Sequence, residues 1–177
     1  MGPKLKPIFH ALAPLLRGEK QRQAAVDKHR GAIGKHSPAL QAIVDEVAEL
    51  FGAQSGVVTM IDRQTQHIIA CHGPELTSGP RDISFCGHTI ANPKEIMCVF
   101  DAANDPRFAG NPLVLGTPNI RFYVGMPMIS PEGEALGALC AIDSHPRMKL
   151  LPEQSKRLRE LALQAAEVLA AESGQRD

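Results

Sequence analysis

The sequence predicts one α+β domain: an antiparallel β-sheet with N- and C-terminal helices on one face and capping helices and loops on the other. Three observations predict it. Ser37 to Gly52 and Pro152 to Glu172 carry apolar residues at three- and four-residue spacing, as helices with one buried face do. Strand runs pair across turn-forming segments, the β-branched Val57–Ile61 with Gln66–Cys71 around Asp62-Arg63-Gln64-Thr65, and Arg121–Ile129 with Glu134–Ile142 around Ser130-Pro131-Glu132-Gly133. A long Asp-, Asn-, Pro- and Gly-rich connection, Asp101 to Thr117, separates a third strand (Ile96–Phe100) from the second pair. A connection of that length inside a compact domain is usually functional.

Residues 1–36 read as a helical leader, 37–172 as the domain and 173–177 as a polar tail. In the leader, Ile8, Phe9, Leu12, Leu15 and Leu16 form an apolar patch on a loose helix over 3–33. Lys4, Lys6, Arg17, Lys20, Arg22, Lys28, Arg30 and Lys35 outnumber Glu19 and Asp27. These cations are scattered rather than blocked, which predicts a surface-lying helix with solvated charges; the alternative is a basic arm docking a partner or a membrane surface. Ser37 caps the next helix with Pro38 at its first position, Leu40, Ile43, Val44, Val47, Leu50 and Phe51 form its buried stripe, and Gly52 closes it. Ser84 caps a short helix that Asn92-Pro93 stops. One helical turn is expected near Asp105 to Phe108. In the last helix Leu151, Gln154, Leu158, Leu161, Ala165 and Val168 make a heptad-like seam, widened by Ala162 and Leu169. Surplus apolar surface on the terminal helices predicts a homodimer joined as a helical bundle.

The chain of 177 residues can bury a core without disulfides or metal. Its 19 basic and 19 acidic residues balance, so charge gives no argument for nucleic acid. The four cysteines form no CxxC pair, which fits free thiols in a reducing cytosol. No apolar run reaches the ~20 residues of a membrane span. Pro3, Pro7, His10 and Pro14 break up any signal-peptide core, and Pro3 after Gly2 argues against myristoylation. A soluble cytoplasmic protein is expected. There is no Walker loop, Rossmann fingerprint or Ser-His-Asp order, and no residue pattern specifies a cofactor.

Four linked motifs carry a resemblance: Phe85-Cys86-Gly87-His88-Thr89-Ile90, Asp105 to Val114 (D-P-R-F-A-G-N-P-L-V), Ile120 to Gly125 (I-R-F-Y-V-G) and Gly137 to Asp143 (G-A-L-C-A-I-D). In this order, over roughly Ser37 to Glu172, the chain resembles a GAF domain, a fold related to PAS, of a bacterial subgroup. The resemblance implies a regulatory module with a small ligand held between the sheet and its capping loops, and with terminal helices coupled to an output. In that subgroup the output is often a kinase or a cyclic-di-nucleotide enzyme. The sequence shows no such domain, so either it acts in trans on a partner or it is a fragment. The N-K-F-D-E signature of cyclic-nucleotide-binding GAF domains is not found.

The candidate ligand-binding residues are Cys86, His88, Asp101, Asp105, Arg107, Phe108, Asn111, Arg121 and Tyr123. A thiol near a helix N-terminus with a nearby imidazole invites nucleophilic or redox chemistry at Cys86. Residues two apart on a helix do not face one another, however, so a packed Cys86 and a hydrogen-bonded His88 are predicted. GAF-fold methionine sulfoxide reductases also use cysteines, but their spacing is not matched here. Cys71-His72 ends a strand instead of lying on the helix that attaches bilin in phytochromes, and the spacing of Cys71, His72, Cys86, His88 and Cys98 does not suggest a metal site. Arg107 or Arg121 offers bidentate geometry to an anion; alternatively Asp105 caps a turn and Arg107 pairs with Asp101 to hold the connection down. Tyr123 shares a strand face with Gly125 and Pro127, in the core with its hydroxyl at a pocket rim. Three functions follow: a non-enzymatic sensor, a thiol redox sensor or reductase using Cys86, and a dimeric scaffold without ligand.

Overall fold

Turn and cap residues place the elements. In the computed structural model, which describes residues 8–174, the order is α1 (Glu19–His29), α2 (Pro38–Phe51), β1 (Ser55–Asp62), β2 (Thr65–His72), β3 (Gly79–Pro80), α3 (Phe85–Thr89), β4 (Met97–Val99), α4 (Pro112–Leu115), β5 (Phe122–Ile129), β6 (Ala135–Asp143) and α5 (Pro152–Ser173). The Ser37 hydroxyl accepts from Leu40 N at 3.2 Å and starts α2, while Gly52 ends it at φ 54°. Arg63 takes φ 50° to reverse the first hairpin. The strands form a single antiparallel sheet ordered β3-β2-β1-β6-β5-β4.

Both faces of the sheet are covered, so β1 is buried along its whole length. Val58, Met60, Phe122, Val124, Leu136 and Leu139 meet α1, α2 and α5 on one face. Val57, Ile61, Tyr123, Ala138 and Cys140 meet α3 and the 99–120 connection on the other. The seam of α5 is consumed within the chain: Leu158, Leu161, Ala165 and Leu169 are buried, which leaves Leu163 as the exposed large apolar residue of that helix. The surplus apolar surface expected on the terminal helices is therefore small among the described residues.

The leader departs from its reading. The stretch up to residue 7 and the tail from 175 lie outside the described residues. Residues 8–16 are not helical, because Pro14 lacks an amide donor and pushes Ala13 out of the helical region. They form an extended strap across α3 and the following connection, with Ala11 N donating to Arg107 O at 2.8 Å, Ala13 N to Asp82 O at 2.9 Å and Gly110 N to Phe9 O at 3.0 Å. Ile8, Phe9, Leu12 and Leu15 face outward, and Leu16 packs inward. Gly87 is where the strap passes α3: an added Cβ would meet Ala13 and the Ser84 hydroxyl. In the 101–117 connection the Asp105–Ala109 turn is joined by a 3₁₀ turn at Ala102–Asn104 and by α4, each started by an Asx side chain, Asp101 and Asn111. The two-residue edge strand β3 escapes sequence pattern because it is so short and ends on proline.

Arg22 overturns the expectation of solvated cations. It is fully buried, with Nη1 donating to Ile61 O at 2.7 Å and Ala135 O at 3.2 Å. Glu19, one turn earlier, pairs with it at 2.9 Å and also pairs with the buried Arg81 just before α3. Arg81 Nη1 donates in addition to Arg63 O at 3.1 Å. The i,i+3 spacing lets one carboxylate serve both guanidinium groups, and strand carbonyls take remaining donors. Burial alone would raise the Glu19 carboxyl, but hydrogen bonds from Arg81 and Arg22 outweigh it and hold its pKa at about 2.

Two tests follow from this packing. Gly56 lies where β1 meets α2, and a Cβ there would overlap the Val44 carbonyl; Gly56→Ala should cost about 1–3 kcal/mol in urea unfolding at an unchanged m-value. Because the folded pKa of Glu19 is depressed, its contribution is complete above the ordinary carboxylate value and is lost as pH falls toward about 2. Glu19→Gln should cost about 3 kcal/mol at neutral pH and flatten the acid limb of the stability curve. An acid limb identical to the parent's would assign that limb to other carboxylates.

Candidate functional site

The second sheet face carries the cavity. Ser84 accepts from Gly87 N at 3.0 Å and so starts α3 directly over β5 and β6. That places Cys86 Sγ 3.2 Å from Tyr123 Oη and 3.8 Å from Cys140 Sγ. Thr89 Oγ1 lies 2.7 Å from the same tyrosine oxygen and donates to Phe85 O. These side chains satisfy one another at the foot of a cavity of about 180 Å³. Its walls are Val57, Thr59, Gln66 and Ile68 of the first hairpin, Phe85 of α3, and Tyr123, Cys140 and Ile142 of the second hairpin. Leu113, Thr117, Pro118 and Ile120 close it from the long connection, and Glu75, Leu76 and Thr77 from the β2–β3 loop. The lining is chiefly apolar. Thr59, Gln66, Glu75, Thr77 and Thr117 are its polar members, and the Gln66 amide oxygen is buried without a hydrogen-bond partner among the described residues.

Burial raises the Tyr123 phenol well above its ordinary value, and the neighbouring thiols add to the shift. The hydrogen bond from Cys140 lowers the Cys86 thiol in spite of burial, whereas Cys140 moves up through the same bond. Cys98, elsewhere, is pushed up to about 11 by burial.

Of the nine candidates, Cys86 and Tyr123 line this cavity. Tyr123 is fully buried, with its hydroxyl on Cys86 and Thr89. The others hold the cap together. Phe108 is buried and stacks on Phe85, with ring centroids 4.1 Å apart. His88 points outward, its Nε2 3.2 Å from Ala11 O, and burial lowers its pKa. Arg107 pairs with Asp105 at 2.8 Å, not with Asp101 as expected, because Asp105 is two residues away on the same turn. Asp101 instead accepts from Ala103 N and Asn104 Nδ2. Arg121 donates to Val114 O and Ile120 O, so its guanidinium braces the chain at the end of the cap. Neither arginine borders the cavity. Asn111 is fully buried and bridges Ile83 O and Leu113 N, both at 2.9 Å, linking the turn before α3 to α4.

Asp143, which ends the last motif, also has a structural explanation. Burial would raise its carboxyl, but donors from His145, Arg147 and Gln54 N hold it below the usual range while it joins three segments. Thr59, Gln66, Ile68, Leu76 and Leu113 are among the lining residues that sequence reasoning missed. The period-2 alternation of β2 held part of the signal, since Gln66 and Ile68 share one face.

An antiparallel sheet backed by helices, with a cavity under a short helix and two loops, defines a capped α+β sandwich. The chain belongs to the GAF domain family, whose profile matches residues 36–169. It is 36% identical over 137 residues to a cyclic di-GMP phosphodiesterase of Pseudomonas aeruginosa, a match covering 77% of this chain and 23% of that protein. The chain thus spans about a quarter of the curated relative it matches. Among solved structures it resembles the GAF domain of an Acinetobacter phosphoenolpyruvate-protein phosphotransferase, with TM-score 0.65, 19% identity, and 89% and 97% of the two chains covered. It also resembles a type II free methionine-R-sulfoxide reductase of Thermoplasma acidophilum, with TM-score 0.60, 14% identity, and 81% and 95% covered. At those identities the likeness is one of fold. Among the described residues, no helix is long and apolar enough to cross a membrane.

Removing the Asn111 side chain should loosen the cap without opening the sheet. Asn111→Ala strands Ile83 O and Leu113 N, at a cost of about 2 kcal/mol. Hydrogen exchange should then quicken over residues 105–117 while β1 and β6 keep their protection. Uniform acceleration would contradict a local role.

Proposed function

We propose that this chain is a non-enzymatic regulatory module that holds a small molecule in the cavity beneath α3 and acts in trans on a partner. The chiefly apolar cavity beneath α3 carries this reading, with the unpartnered amide oxygen of Gln66 on one of its lining residues. Such an acceptor costs free energy unless a donor reaches it. A compact, mostly apolar ligand with one N–H or O–H group meets both the volume and the chemistry. The anionic ligand considered from Arg107 and Arg121 has less support, because both side chains are engaged away from the cavity. His88, the imidazole nearest Cys86 in sequence, faces the strap, which favours binding over acid–base catalysis.

The partner we propose is a cyclic-di-nucleotide enzyme or a kinase, supported by the phosphodiesterase relative of which this chain matches one segment. Homodimerisation through the terminal helices belongs to the same proposal, with the exposed Leu163 of α5 as its support. Free cysteines favour a reducing, cytoplasmic setting. Occupancy would reach the partner through the 101–117 cap and the strap hydrogen-bonded to it.

Native mass spectrometry of freshly purified protein should show an added small mass, and should report oligomeric state in the same spectrum. A ligand well above its Kd should stabilise the fold by about 2–4 kcal/mol in a thermal-shift screen. Leu113→Trp, which fills the cavity from the cap, should abolish that gain while the protein stays folded. Persistence of the gain in this variant would locate the ligand elsewhere. No bound mass and no screening hit would leave the scaffold reading.

A further inference from the structure

Two thiols face each other across the cavity floor. Cys86 comes from α3 and Cys140 from β6; both are buried, and their sulfurs are 3.8 Å apart. Nothing in ligand binding calls for a second thiol at that place. Both cysteines border the cavity, but at 2 % and 0 % exposure they meet a peroxide only when the cap above them opens. Tyr123 Oη stands 3.2 Å from Cys86 Sγ and is tied to Thr89, so a hydroxyl able to give or take a proton is already in contact with the sulfur. The other cysteines are placed differently. Cys71 contacts backbone carbonyls, and burial raises both its thiol and that of Cys98.

We propose that Cys86 and Cys140 form a peroxide-reactive dithiol that closes to an intramolecular disulfide across the cavity floor. This goes beyond the sensing of a bound molecule and does not require one. The Cys86 thiolate attacks one oxygen of hydrogen peroxide; a sulfur–oxygen bond forms, the oxygen–oxygen bond breaks, and hydroxide leaves as water with the proton Cys86 has given up. Cys140 then attacks the sulfenic sulfur of Cys86. The sulfur–sulfur bond forms, the sulfur–oxygen bond breaks, and a second water leaves with the Cys140 proton. Two thiols are oxidised by two electrons and one peroxide is reduced to two waters. Cys86 is the attacking thiol because hydrogen bonds from Cys140, Thr59 and Tyr123 favour its ionised form, while Cys140 is disfavoured as an anion. Closure shortens the sulfur separation to about 2.05 Å. It draws α3 toward β6 and takes Cys86 from its hydrogen bond with Tyr123, so the oxidised cavity has a different floor.

The test uses the whole chain, free of ligand, with hydrogen peroxide as the probe, an acid quench and peptide mass spectrometry under denaturing alkylation. A Cys86–Cys140 linked peptide should appear, with the intact mass lower by two hydrogens and Cys71 and Cys98 still alkylated. Tyr123 is the only tyrosine and there is no tryptophan, so near-ultraviolet circular dichroism should change on oxidation and return with dithiothreitol. Cys140→Ala should accumulate a dimedone-reactive sulfenic acid at Cys86, and Cys86→Ser should consume peroxide roughly tenfold more slowly. The wild-type peptide map stands by itself should either variant fail to fold. Recovery of both thiols unmodified after a dose that oxidises Cys71 or Cys98 overturns the proposal. So does linkage of Cys86 to any cysteine other than Cys140.

Discussion

A single carboxylate shared by two buried guanidinium groups is the constraint on which the rest of the molecule depends. Arg22 lies on α1 and Arg81 immediately before α3, and Glu19 joins them across the end of the first hairpin. Replacing such a cluster as a unit by apolar side chains can be neutral, but removing one member strands a charge in low dielectric. The cluster carries one more positive than negative charge, and Arg81 Nε has no partner among the described residues. Carbonyls of Ile61, Ala135 and Arg63 supply the remaining stabilisation. That arrangement specifies geometry more than it adds stability. It ties the helix layer on one sheet face to the start of the cap on the other, around the edge of the sheet.

The position of α3 follows from this. Arg81 N donates to Gln64 O, Ser84 caps the helix, and Ala13 of the strap crosses at Gly87. With α3 held from three sides, Cys86 meets Tyr123 and Cys140 by construction. The cavity is what remains where the cap does not fill the space above Val57, Thr59 and Ile68. The lid of residues 101–117 is fastened by its own Asx turns and by Asn111, so its ends are fixed while Leu113 and Thr117 border the hollow. Ala102, Phe108 and Val114 of the same segment are buried, so apolar packing holds it down together with its local hydrogen bonds.

What was legible in the sequence divides along the same physical line. Local signals were read correctly: Ser37 and Ser84 as caps, Gly52 as a stop, the hairpin turns, and the seam of α5. Each of these depends on neighbours within one or two turns of chain. The misreadings have two sources, a proline that breaks the leader helix locally and side-chain pairings that periodicity does not encode. Nothing near Arg22 says that its carbonyl acceptors lie 39 and 113 positions away. Arg107 was weighed for an anion and for Asp101, and it pairs instead with Asp105, on the turn expected near Asp105 to Phe108. The candidate site was found by motif, and the motif residues proved mostly to be those that hold the cap. The lining residues are mostly ordinary apolar side chains and threonines whose role comes from what fails to cover them.

That asymmetry bears on what kind of site this is. A catalytic centre concentrates its recognisable chemistry on the reacting atoms, with a base and an orienting group aimed at one point. Here the recognisable residues turn away from the hollow: His88 to the strap, Arg107 to Asp105, Arg121 to backbone carbonyls, Asp143 to the end of β6. What lines the hollow is chiefly apolar, with Thr59, Gln66, Glu75, Thr77 and Thr117 as its polar residues and a thiol pair capped by a phenol at its floor. In the proposed binding reading the apolar wall selects by shape and volume, and a ligand donor that reaches the Gln66 oxygen gains a hydrogen bond the free protein lacks. Recognition built in this way needs few marked residues, and those it marks belong to the frame.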